Sequence, residues 1–169
     1  IRLADLSTPF LALGSVGTGR TEALATICRQ LVASGCRAWA YPIREEDEAR
    51  FDGAQLVRTG VATDLPEDVF LLVDNAGEVD AGDPLVSAAC GRQRPQVCLA
   101  GEEKALSGLM GWKGALRGGA SGLALSPSAY DGDLIGLKVS RDDAFSGPPG
   151  RALLSCRDGS QLFMRRVLQ

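Results

Sequence analysis

The sequence predicts an α/β fold, with a mostly parallel central sheet, helices on both faces and a C-terminal β-hairpin. Three observations lead there. The apolar run Phe10–Leu13 passes through a glycine-rich loop into a segment with helical periodicity. A second run, Val69–Val73, is apolar without interruption, as a strand covered on both faces must be. Near the end of the chain Asp158-Gly159, a strong hairpin signal, separates two strand-like segments.

In chain order, Ile1–Thr8 is a lead-in closed by Pro9 before the first strand, Phe10–Leu13. The helix expected over Glu22–Ser34 places Leu24, Ile27, Cys28, Leu31 and Val32 at helical spacing, with Gly35 as its C-cap. Arg37–Tyr41 is the second strand, stopped by Pro42, which completes a βαβ unit. Ile43–Phe51 reads as a short acidic helix whose Glu45-Glu46-Asp47-Glu48 run forms a solvated face. Asp52-Gly53 then turns the chain into the small run Gln55–Val57, whose place in the sheet the sequence leaves open. After Val69–Val73 come a helix over Pro84–Cys90 and a buried strand over Gln96–Ala100, ended by Gly101. Ala105–Leu116 is expected to be helical with interruptions at Gly108 and Gly111, Arg117–Gly122 a flexible loop, and Leu123–Leu125 the last core strand before Pro127. Asp131–Gly136 is turn-rich, Gly147–Arg151 a rigid loop, and Ala152–Cys156 with Ser160–Val167 the two arms of the hairpin.

The chemistry concentrates in Gly14-Ser15-Val16-Gly17-Thr18-Gly19-Arg20-Thr21, which spells G-x-x-x-x-G-[K→R]-T, a Walker A phosphate loop with one change. Glycines let main-chain N–H groups close around a small anion, and the helix that follows adds unsatisfied donors and the positive end of its dipole. Thr21 falls where a hydroxyl ligates the magnesium ion carried by a nucleotide, and Arg20 where a lysine bridges the outer phosphates. A guanidinium still pairs with phosphate, but it is a wide planar fork in a slot suited to a compact charge. The loop therefore argues for binding ATP and against fast hydrolysis; the bland alternative is a glycine-rich strand-to-helix turn with no ligand.

Asp74, at the end of Val69–Val73, matches the Walker B aspartate that holds magnesium through water. Its alternative is the aspartate of an ordinary surface turn. Asn75 occupies the position where many such ATPases carry the acid that polarises the attacking water, and an amide accepts no proton at neutral pH. Glu78, Asp80 or a neighbouring subunit could supply that acid instead. Glu102 and Glu103 follow the strand that ends at Gly101. Beside a phosphate site they would repel a γ-phosphate; the expectation is that they occupy a helix N-terminus.

Composition narrows the field. A chain of 169 residues with 45% apolar and 23% charged residues supports one domain and one well-formed interior. A net charge of −3 and the lone basic pair Arg165-Arg166 argue against binding nucleic acid. The five cysteines form no C-x-x-C pair and read as reduced core residues. With no histidine, histidine general-base schemes and histidine metal sites are excluded. No apolar stretch approaches the roughly 20 residues that span a bilayer, so no direct membrane insertion is expected. The chain begins at Ile1, and the expectation is a domain cut from a longer polypeptide.

The motifs in order, G-S-V-G-T-G-R-T-E-A-L, V-F-L-L-V-D-N, L-A-L-S-P-S-A-Y-D-G-D-L-I-G-L-K-V-S-R and G-P-P-G-R-A-L-L, resemble FtsK/SpoIIIE-type ATPase domains. The resemblance is closest to the C-terminal domains of the EccC proteins of type VII secretion and of related actinobacterial proteins joining forkhead-associated and FtsK-like domains. It implies a RecA-like P-loop NTPase fold, other ATPase domains on the same chain, and secretion substrates or secretion-machine proteins as partners. It also implies oligomers formed through the full-length protein, and a cytoplasmic location at the membrane face through segments outside this sequence. Later domains of such proteins often carry altered Walker motifs, as Arg20 and Asn75 do here, while Gly14, Gly17, Gly19, Thr21 and Asp74 still match. Arg151 matches the family loop; it could reach nucleotide or another domain, and bracing of the hairpin is favoured.

Three readings follow. The first is a degenerate nucleotide-binding domain with a regulatory or scaffolding role in a secretion ATPase. The second is a motor ATPase completed in trans by a neighbouring domain or subunit. The third is a nucleotide-free protein-interaction domain.

Overall fold

The computed structural model describes residues 9–41, 44–58, 64–92, 96–129, 131–140, 151–156 and 158–165. It is an α/β protein built on one eight-stranded mixed sheet of order β3-β2-β4-β5-β1-β6-β7-β8. These strands are β1 Phe10–Leu13, β2 Arg37–Tyr41, β3 Gln55–Leu56, β4 Val69–Val73, β5 Val97–Gly101, β6 Ser121–Leu125, β7 Arg151–Ser155 and β8 Gln161–Arg165. β1 to β6 run parallel, and β7 and β8 continue the sheet antiparallel as the expected hairpin.

Strand periodicity divides the interior into two layers. Phe10, Ala12, Ala38, Ala40, Leu72 and Ala100 face helix α1, Arg20–Ala33, which buries Leu24, Ala25, Ile27, Cys28 and Leu31 against them. The alanines under α1 are small, so the helix that opens at the glycine loop lies close to the strands. On the opposite face Leu11, Leu13, Leu71, Val73 and Leu99 pack against α3, Pro84–Cys90, and against Leu106, Trp112 and Leu116. Leu106 belongs to α4, Glu103–Leu106, and Trp112 to α5, Gly111–Ala115. Thus β1 sends its chain to one face and its neighbour β5 sends its chain to the other. Between two strands whose connections diverge in this way, a crevice opens at their carboxyl ends.

Several boundaries differ from those read in the sequence. Helix α1 begins two residues earlier than Glu22, at Arg20, and ends at Ala33 with Ser34 as the capping residue. Gly35 follows in the left-handed region at φ 78°, its N–H donating to the Val32 carbonyl at 2.9 Å. The acidic helix is a single turn, α2, Glu45–Glu48, and only part of it is a solvated face. Asp47 pairs with Arg50 at 3.2 Å, and Glu48 with Arg58 at 3.4 Å. β5 ends at Gly101 as expected but begins at Val97, one residue after Gln96.

The helix expected over Ala105–Leu116 is broken into α4, α5 and a 3-10 turn over Leu116–Gly118. Ser121 and Gly122, read as loop, belong to β6. Arg151, read as loop, opens β7, and its carbonyl accepts from the Ser126 N–H at 3.0 Å. Residues 1–8, 42–43, 147–150, 166 and 167, on which other expectations fall, lie outside the described residues. Four of the five cysteines are buried, and Cys36 is half-buried. Among the described residues no helix is long and apolar enough to cross a membrane.

Candidate functional site

The loop Gly14–Thr21 rises from the carboxyl end of β1. The Gly14 N–H donates to the Gly101 carbonyl at 3.2 Å, so the loop starts fastened to the end of β5. A Cβ at Gly14 would stand 2.4 Å from Thr18 Oγ1 and 2.9 Å from the Leu125 carbonyl oxygen, which leaves glycine alone able to occupy the position. The Thr18 hydroxyl donates to the Ser15 carbonyl at 2.8 Å and closes the turn. Gly17 and Gly19 have φ of 84° and 94°, a region that other residues enter only at a cost. Val16 stands at the tip and is 78% exposed.

The first main-chain bond of α1 runs from the Ala23 N–H to the Gly19 carbonyl. Among the described residues the N–H groups of Gly17, Gly19, Arg20 and Thr21 donate to no protein acceptor. These donors lie within one bend at a helix start, where the first-turn N–H groups have no intrahelical partner and can bind an anion.

Thr21 and Asp74 meet. The Thr21 hydroxyl donates to Asp74 Oδ2 at 2.8 Å, across 53 residues of sequence, and joins the start of α1 to the end of β4. Asp74 is only 2% exposed. Burial pushes its carboxyl above the usual range, the Thr21 hydroxyl and the Asn75 N–H oppose that shift, Asp47 adds to it and the Arg20 charge opposes it. A hydroxyl and a buried carboxylate side by side are hard oxygen donors suited to magnesium, with water and phosphate oxygens supplying the remaining ligands. Among the described residues no group of three or more cysteine, aspartate or glutamate side chains could hold a metal by itself.

No protein-family model and no curated protein matches the chain.

Arg20 is half-buried, and its side chain makes no hydrogen bond or ion pair among the described residues. Asn75 adopts φ 47°, the left-handed region that asparagine tolerates better than most residues. An acid at this position would have to enter the same strained region. Asn75→Glu is accordingly expected to cost about 1 kcal/mol in stability and to leave ATP turnover at background, read by denaturant melts and phosphate release. Turnover raised well above background would show that the acid alone was missing. Of the other candidate acids, Glu78 lies 3.9 Å from Arg44 at the surface, and Asp80 Oδ1 accepts the Gly82 N–H at 2.7 Å.

Beside the loop lies a cavity of about 120 Å³ lined by Gly14, Ser15, Glu102, Lys104, Leu125 and Asp131, among others. The sequence reading gave no site role to Lys104, Leu125 or Asp131, because they join the loop only through the strand order. The two glutamates occupy a helix N-terminus as expected, at the start of α4. Glu102 stands at the N-cap position of α4, but its side chain makes no capping hydrogen bond. Glu103 accepts instead from the Gly132 N–H and, at 2.8 Å, from the Leu134 N–H. It ties α4 to the 3-10 turn Asp133–Ile135.

Proposed function

We propose that this chain is a degenerate P-loop nucleotide-binding domain of RecA-like type, which takes an adenine nucleotide with magnesium and hydrolyses it slowly or not at all. The single observation that carries the reading is the Thr21–Asp74 hydrogen bond at 2.8 Å, beside a bend with unpaired main-chain donors. The strand order supports it as well: β5 lies between the strand of the loop and the strand of Asp74, which sets the two motifs one strand apart. Arg20 and Asn75, in place of the lysine and the acid, support slow turnover. The resemblance to EccC-type domains supports a regulatory or scaffolding role in a membrane-associated secretion ATPase at its cytoplasmic face. There it would work beside other ATPase domains and on protein partners.

Calorimetric titration with ATP, with and without magnesium, combined with phosphate release, tests the reading. The expected result is magnesium-dependent binding with turnover at background. Turnover that rises with protein concentration would instead mark a motor completed in trans. Absence of any heat would mark an interaction domain without nucleotide.

A further inference from the structure

We infer that the site prefers a nucleoside diphosphate to a triphosphate, and that Glu102 is a residue that sets this preference; the inference rests on the nucleotide-binding reading above. Thr21 and Asp74 would hold the magnesium ion that a triphosphate carries. Thr21 opens α1 after β1, Asp74 ends β4, and β5 is the strand between them. The third phosphate would therefore stand over the carboxyl end of β5, whose Gly101 carbonyl already receives the Gly14 N–H. Glu102 is the next residue.

Glu102 lines a cavity with Gly14 and Ser15 of the loop, and the charges around that cavity are Glu102, Glu103, Asp131 and Lys104, three carboxylates against one ammonium. Glu103 is held as an acceptor by the Gly132 and Leu134 N–H groups. Asp131 Oδ2 is held by the Ser128 N–H and hydroxyl, both at 2.7 Å. The side chains of Glu102 and Lys104 are exposed and make no hydrogen bond or ion pair among the described residues, so both can turn toward a ligand. Near the loop stand also Arg20, the buried Asp74, Glu22 in the first turn of α1, and Asp47, whose charge acts on Asp74. A β-phosphate keeps the main-chain donors of Gly17, Gly19, Arg20 and Thr21, whereas a γ-phosphate adds negative charge where the lining is already negative. The last phosphate is thus the one that this chain penalises. A domain of this kind would hold the product of hydrolysis as a resident ligand and respond weakly to the triphosphate.

The experiment is calorimetric titration of the purified protein with ADP and with ATP in excess magnesium, for wild type, Glu102→Gln and Lys104→Ala. Wild type is expected to bind ADP about tenfold more tightly than ATP. Glu102→Gln is expected to tighten ATP about fivefold while leaving ADP within about twofold, and Lys104→Ala to weaken ATP further. ATP binding as tight as ADP in wild type, or an ADP-to-ATP ratio unmoved by Glu102→Gln, overturns the preference and leaves the nucleotide site standing. Failure of both nucleotides to bind removes the site and the preference together.

Discussion

Asp74→Asn is expected to bind nucleotide without regard to magnesium and to melt at a higher temperature than wild type. The two effects share one cause. Burial raises the Asp74 carboxyl above the value it has in the unfolded chain, so the folded protein binds its proton more tightly than the unfolded one. The stability linked to that proton is complete below the unfolded carboxylate value of about 3.9 and is lost as the pH rises through the raised folded value. At neutral pH the fold therefore carries a buried charge at a cost, opposed only in part by the Thr21 hydroxyl, the Asn75 N–H and Arg20. An amide keeps an oxygen to accept from Thr21 and removes the charge. A gain of about 1 kcal/mol, or roughly 2–4 °C, is expected at pH 7 in thermal melts, shrinking as the pH is lowered toward the carboxylate range. The same amide is a poor partner for a hard divalent cation, so adding magnesium should no longer tighten ATP. A lower melting temperature, or a magnesium effect that survives, would show that Asp74 is a structural cap rather than a metal ligand. A buried carboxylate that costs stability is what a site retained for a ligand looks like.

How far the sequence could be read depends on how local each signal is. β1, β4 and β5 were legible because buried apolar runs such as Val69–Val73 announce themselves within five residues, and β2 from its alternation before Pro42. Helix α1 was legible from its period, and the loop from its glycines. β6 was cut short because Gly122 reads as a breaker, yet its place in the sheet requires glycine: a Cβ there would lie 2.2 Å from the Leu11 carbonyl oxygen. The order of the strands was not legible, since nothing in Val97–Gly101 says that it pairs with both β1 and β4. For the same reason the cavity was missed. Lys104 and Asp131 reach the loop only because β5 and β6 flank β1, and Glu103 finds its partners 29 and 31 residues away. Thr21 and Asp74 could be paired in advance because the chemistry of magnesium, rather than any local pattern, ties them together.

The largest loss of stability is expected from Gly111→Ala. Gly111 opens α5 at φ 57°, and a Cβ on it would stand 1.8 Å from the Ala81 carbonyl oxygen. That carbonyl accepts the Trp112 N–H at 3.2 Å, and the Trp112 indole donates to the Asp80 carbonyl at 2.8 Å. The substitution thus pushes α5 away from the segment that follows Asp74 and strains the contact that seats a tryptophan buried to 2% exposure. Left-handed backbone costs an alanine about 1 kcal/mol and forced overlap in a packed region about 1–3 kcal/mol more. The sum of about 2–4 kcal/mol corresponds to a fall in melting temperature of roughly 5–12 °C for a domain of this size. Gly35→Ala separates the two contributions, because Gly35 has φ 78° and nothing within 4 Å of its Cβ position. It should lose only the backbone share, about 1 kcal/mol. Equal losses at the two positions in denaturant melts would mean that α5 shifts freely and that Ala81 is no fixed wall. An excess loss at Gly111, together with weaker magnesium-dependent binding of ATP, would show that the packing of α5 holds Asp74 in place from behind.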